Sequence, residues 1–165
     1  MTDSPPPRSF WKRRLGDPVL ALLSQGVTPD KIAATLAVGT AVSLLPFFGV
    51  TTLANILVGL KLRMNQPLLQ ALNYLITPVH LVMIFVYVRI GETLWGVHEA
   101  PFSIRELFST FTEKPIGEFL QRFGWTGIHA FTAWALSVPV IIGVLYYTLR
   151  PLMRKLGSLR RPKHT

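Results

Sequence analysis

Cysteine is absent from the 165 residues, which excludes a disulfide framework and any thiol chemistry. Acids are scarce, eight Asp and Glu against 17 Lys and Arg. None of the acids falls within the three long apolar runs, so paired-carboxylate chemistry inside those runs is excluded. There is no glycine-rich phosphate loop and no His-Glu-x-x-His. Ser43 is a lone serine, with no histidine or acid at a suggestive spacing. The first 30 residues are proline-rich and polar rather than signal-peptide-like, so insertion into a membrane is expected to rely on the apolar runs themselves.

What is present is apolar length. Residues 32–60 hold 29 consecutive positions without a charge, 64–88 hold 25, and 123–149 hold 27. About 20 apolar residues cross a bilayer core, so each of the last two runs suffices for one spanning helix. The first is broken near its middle by Pro46-Phe47-Phe48-Gly49. Each arm is then only about 14 residues, roughly 21 Å of helix. Two readings follow: a hairpin of two short crossing helices, or a re-entrant loop that returns to its starting side.

The expected fold is therefore all-α. It is an integral membrane helical bundle with a short helical hairpin, crossing or re-entrant, plus two spanning helices and flanking amphipathic helices. Residues 1–14 read as a disordered, basic flank, 15–150 as a single membrane domain, and 151–165 as a basic C-terminal tail. Helices are expected at about 18–25, 29–45, 50–62, 67–91, 103–111, 116–123 and 126–149. Thr28-Pro29-Asp30 is a start signal, a cap followed by proline and an acid. Asn65-Gln66-Pro67 is another, and Ser103 with Glu106 fits a capping box. Pro78 and Pro139 fall inside helices and are expected to kink them.

The net charge of +9 invites a nucleic-acid reading, but the cations cluster at the two ends of the chain, as they do beside spanning helices. No nucleic-acid partner is expected. The 61–66 connection is also basic, whereas 92–124 carries five Glu against three cations. This places both termini in the cytoplasm and 92–124 outside.

Small residues recur every fourth position in each arm of the broken run: Thr35, Gly39 and Ser43, then Thr51, Asn55 and Gly59. Such stripes let backbones approach closely in lipid, and the two arms are expected to pack as an antiparallel pair. On the next helix Gln70, Asn73, Thr77 and His80 are spaced 3, 4, 3 and share a face. The candidate ligand-binding residues are Pro46, Gly49, Thr52, Asn55, Gln70, Asn73, Thr77 and His80. They combine a broken backbone with polar groups at membrane depth. The plainer alternative is interhelical hydrogen bonding, worth about 0.6–2 kcal/mol per contact. His80 and His129 could meet, but without a carboxylate they make a poor metal site. No metal, no cofactor and no catalytic residue is expected.

Gly39, Pro46-x-x-Gly49-x-x-Thr52, Arg63-x-Asn65, Asn73 and Gly91 resemble a small family of bacterial multi-pass membrane proteins known as a conserved domain of unknown function. The resemblance spans roughly residues 15–150. The sequence departs from the commoner pattern at Asn73-Tyr74, where Asn-Pro is frequent, and at Thr51-Thr52, where Gln-Thr is common. The family's domain is sometimes fused to glycosyltransferases, which implies proximity to glycan or lipid-linked substrates. The resemblance supports membrane placement and supplies no activity. The expected role is a non-enzymatic module of the cell envelope that binds membrane lipids or a membrane-protein partner. The alternative is a small homo-oligomeric transporter or channel with a polar site at the broken helices.

Overall fold

The computed structural model describes residues 17, 21, 27–47, 49–97 and 116–159. Of the helix expected at 18–25 only residue 21 is described, and it is helical; the helix expected at 103–111 lies outside the described residues. Four helices are described: α1 (Pro29–Ser43), α2 (Val50–Lys61), α3 (Gln66–Trp95) and α4 (Ile116–Leu159). No strand occurs among the described residues.

Helix α1 begins where Thr28 takes an extended backbone and its side chain accepts the Lys31 amide, with Pro29 preset for the first turn. It stops at Leu44, ahead of Pro46, which disfavours helical backbone in the residue before it. Gly49 then enters α2 with φ +82°. A Cβ there would meet nothing within 4 Å. Glycine is used for its backbone freedom, not for space. After α2, Arg63 takes φ 52°, and the Met64 amide returns to the Gly59 carbonyl at 2.8 Å. The Asn65 side chain caps α3 by accepting from the Leu68 amide at 2.9 Å. The Arg63-x-Asn65 motif is thus a turn residue followed by a cap.

Two boundaries differ from the sequence reading. Helix α3 does not close at 91 but runs through Glu92 to Trp95, where Gly96 (φ 66°) ends it. Helix α4 is one helix of 44 residues, passing through Gly124, Pro139 and Pro151. The expected break near 124–125 is replaced by helix, and the helix continues into the basic tail as far as Leu159. The reason lies in distant contacts. Met153 is buried against Ile32, Ala33, Leu68 and Leu72, and Arg150 and Arg154 are tied to Asp30. Tertiary packing outweighs the weak local stop signals.

The contacts set the topology. Ile32 packs near Leu68, Leu72 and Met153 at one end of the bundle. Leu44 packs with Tyr87, Val88, Ala130 and Ala133 toward the other. Helix α1 therefore runs alongside α3 in the same direction and antiparallel to α4. Helix α2 returns, so both arms of the hairpin begin and end at the same end of the bundle. The arms touch through Asn55 and Ser43, but the glycines of both stripes face α3 rather than each other. A Cβ on Gly39 would lie 2.6 Å from Leu69 Cδ2, and one on Gly59 would run into Leu69 Cδ1. Leu69 thus wedges between the two arms.

Helices α3 and α4 are long and apolar enough to cross a membrane, whereas α2 is apolar but short. Only 28% and 17% of the most apolar windows of these two helices are buried in the bundle, unlike the mostly buried core helix of a soluble protein. Leu53, Leu57, Val82, Leu136, Val140 and Val144 point outward, while Thr35, Ser43, Asn55, Asn73 and His80 point inward. That distribution suits an apolar solvent.

Candidate functional site: a polar seam between the hairpin and helix α3

Between the two apolar clusters lies a seam of uncharged polar side chains. Asn55, which is 1% exposed, is its centre. Its Nδ2 donates toward Ser43 Oγ at 3.0 Å, the Thr51 carbonyl at 3.1 Å and Asn73 Oδ1 at 3.3 Å. An amide nitrogen has two protons, so three acceptors share them. Because a carbonyl only accepts, the Thr51 contact fixes which end of the Asn55 amide faces it. Asn73 Nδ2 donates in turn to Thr52 Oγ1 at 3.2 Å. One network thus joins α1, α2 and α3.

The remaining candidates take separate places. His80 Nε2 lies 2.8 Å from the Leu45 carbonyl, so the ring carries its proton there and holds the exit of α1. Pro46 is buried in that turn, and Gly49 is exposed and outside the network. Thr77 bonds back to the Asn73 carbonyl of its own helix at 3.0 Å. Gln70 is half-buried, and neither its Nε2 nor its Oε1 has a hydrogen-bond partner among the described residues. Asn55 Oδ1 and Gln66 Oε1 are likewise buried without partners. Gln66 uses its Nε2 on the Ile56 carbonyl at 3.1 Å. Among the described residues the seam therefore has four polar atoms with spare hydrogen-bonding capacity, all amide and uncharged.

His80 and His129 do not meet. His129 stacks beside Trp95 with ring centroids 5.2 Å apart, at the level of Gly91. That is about 16 Å along α3 from His80. Among the described residues no group of three His, Cys, Asp or Glu side chains could hold a metal ion.

Several polar contacts escaped the sequence reading. Ser43, which looked like an isolated serine, belongs to the network. Glu92 is buried on α3 and pairs with Arg89 at 3.0 Å. Trp134 Nε1 donates to the Ala41 carbonyl at 2.9 Å, tying α4 to α1. The Tyr87 hydroxyl lies 3.1 Å from Ser137 Oγ, whose proton goes to the Trp134 carbonyl at 2.8 Å. The i, i+3 spacing of Arg89 and Glu92 was the one available local signal.

No curated protein and no solved structure matches the chain. Residues 12–161 match the model of a family described as uncharacterized protein conserved in bacteria (DUF2062). That match spans the helices, the broken run and the seam together, in line with the resemblance carried by Gly39, Pro46, Gly49, Thr52, Arg63, Asn65, Asn73 and Gly91, and the chain belongs to this bacterial family.

Proposed function

We propose that the chain is a multi-pass protein of the bacterial cytoplasmic membrane, with both termini in the cytoplasm and 92–124 outside. In this reading it is a non-enzymatic module that binds lipid or a membrane-protein partner of the envelope along the α2–α3 seam. The observation that carries it is the set of four unpaired amide atoms on Asn55, Gln66 and Gln70. Unpaired buried polar atoms are costly, about 1–3 kcal/mol each, and more so away from water. A hydroxyl or amide brought by a lipid or a partner helix relieves that cost. Gln70 is half-buried with its amide atoms turned inside, and it sits one turn from Tyr74, which is exposed.

A photo-crosslinking residue at Tyr74 tests this in native membranes. The expected result is a covalent lipid or protein adduct that is lost when Gln70→Leu is added. An adduct pattern unchanged by Gln70→Leu contradicts the reading.

The second reading is a homo-oligomeric transporter or channel. It draws on the continuous polar stripe of Gln66, Gln70, Asn73, Thr77 and His80 along α3, beside the break at 44–49. Background-level flux of a broad solute panel in proteoliposomes of both wild type and His80→Ala would remove it.

A further inference from the structure

At the end of the bundle away from Trp95, two arginines share one carboxylate. Arg150 Nε lies 3.0 Å from Asp30 Oδ1. Arg154 takes the same carboxylate side-on, Nε to Oδ1 at 2.9 Å and Nη2 to Oδ2 at 2.8 Å. The Arg150 guanidinium also lies 5.7 Å from the centre of the Tyr146 ring, a cation–π distance. Both guanidinium groups are therefore held in place.

They are not used up. A guanidinium offers five N–H donors. Arg150 spends one on Asp30, leaving its two terminal nitrogens without partners among the described residues, and Arg154 Nη1 is likewise unspent. Both arginines remain exposed to the outside of the bundle, at 37% and 54%. Lys31 follows Asp30 and Lys155 follows Arg154, and both are exposed. Two guanidinium groups thus share a single carboxylate.

We propose that this corner is a phosphate-binding site, in which Asp30 orients the terminal nitrogens of Arg150 and Arg154 to take phosphate oxygens by paired N–H donation. Arginine's planar fork matches phosphate in this way, where a point charge does not. The site lies where α4 leaves its apolar run, beside exposed Tyr147, so the phosphate of an anionic lipid headgroup reaches it at the interface. The lipid source rests on the membrane placement proposed above; the phosphate chemistry does not. Asp30 is a positioning residue here and touches no phosphate.

The test uses the full chain in a neutral detergent, titrated separately with phosphatidylglycerol and with inorganic phosphate, bound ligand being counted by native mass spectrometry. Phosphatidylcholine serves as the zwitterionic control. Arg150→Gln is expected to weaken binding about tenfold or more, the loss of a charge-assisted contact. Asp30→Asn is the decisive variant. It makes the corner more positive, so bulk attraction alone tightens binding, whereas lost orientation weakens it. Arg150→Lys, which keeps the charge and removes the fork, also weakens binding and serves if Arg150→Gln does not fold. Weakening for both ligands supports a site reached by lipid. Weakening seen with inorganic phosphate alone supports the site and assigns its ligand to the soluble phase. Tighter binding in Asp30→Asn, or wild-type binding in both Arg150 variants, overturns the proposal, as does a failure of wild type to hold either ligand.

Discussion

The backbone of Gly91 lies directly against the main-chain carbonyl of His129, so α3 and α4 touch with no side chain between them. A methyl at position 91 would fall on His129 C and O, which cannot swing aside. At Gly39 the obstacle is Leu69 Cδ2 at 2.6 Å, the tip of a flexible side chain. Gly91→Ala is therefore expected to cost about 1–3 kcal/mol or more, and more than Gly39→Ala. Thermal unfolding of the two variants in detergent checks the order. A larger loss at Gly39→Ala contradicts it.

Asn55 Nδ2 and Asn73 Oδ1 join α2 to α3 amide to amide, at 3.3 Å. Their removal is expected to be non-additive. A double-mutant cycle of Asn55→Ala and Asn73→Ala should give a coupling of about 0.6–1.7 kcal/mol, the range for polar contacts between membrane helices. Each single variant strands a buried group and costs about 1–3 kcal/mol. Strict additivity would remove the network from the account.

The Asp30 pair gives a pH signature. Hydrogen bonds from Arg154 and then Arg150 hold the Asp30 carboxyl down at about 2, against an ordinary 3.8. A lowered carboxyl stabilises the fold wherever it is ionised, so the benefit is complete above the ordinary value. It fades as pH falls from about 4 toward 2 and is gone below that. Wild type is expected to unfold at a higher temperature than Asp30→Asn at pH 7 and pH 5. The two curves should converge near pH 2. A constant gap across the range contradicts the pairing.

His80 holds the end of α1 through the Leu45 carbonyl at 2.8 Å. In His80→Ala that carbonyl loses this donor at a buried position, which is expected to cost about 1–3 kcal/mol and to loosen the 44–49 turn. A single cysteine at Phe47, which is exposed, should then react faster with a thiol reagent than in the His80 background. Equal rates would mean that the turn is held without the imidazole.

Local signals carried much of this architecture. Thr28-Pro29-Asp30 and Asn65-Gln66-Pro67 mark helix starts because capping chemistry is local. The 3, 4, 3 spacing of Gln70, Asn73, Thr77 and His80 put these residues on one face, from which Asn73 meets α2 and His80 meets the exit of α1. Spacing did not tell that Thr77 turns back to its own helix or that Leu69 separates Gly39 from Gly59. The course of α4 was the hardest part. Arg150 before Pro151 looks like a stop followed by a basic tail, and only distant partners, Asp30 120 residues earlier in the chain and the apolar cluster around Met153, explain why the helix continues. Such a pairing leaves no periodicity to read. The buried Glu92 was missed for a related reason: Gly91 looked like the end of α3, whereas it is the point at which α3 rests on α4.

The central claim is that α3 and α4 cross the membrane while the α1–α2 hairpin returns to its starting side. The cysteine-free chain allows a direct measurement. Single cysteines at Lys61, Gly117 and Ser158, all exposed, are labelled in intact bacterial cells with a membrane-impermeant thiol reagent, then again after permeabilisation. The account predicts that position 117 labels in intact cells and that positions 61 and 158 label only after permeabilisation. Labelling of positions 61 and 117 from the same side of the membrane would contradict it.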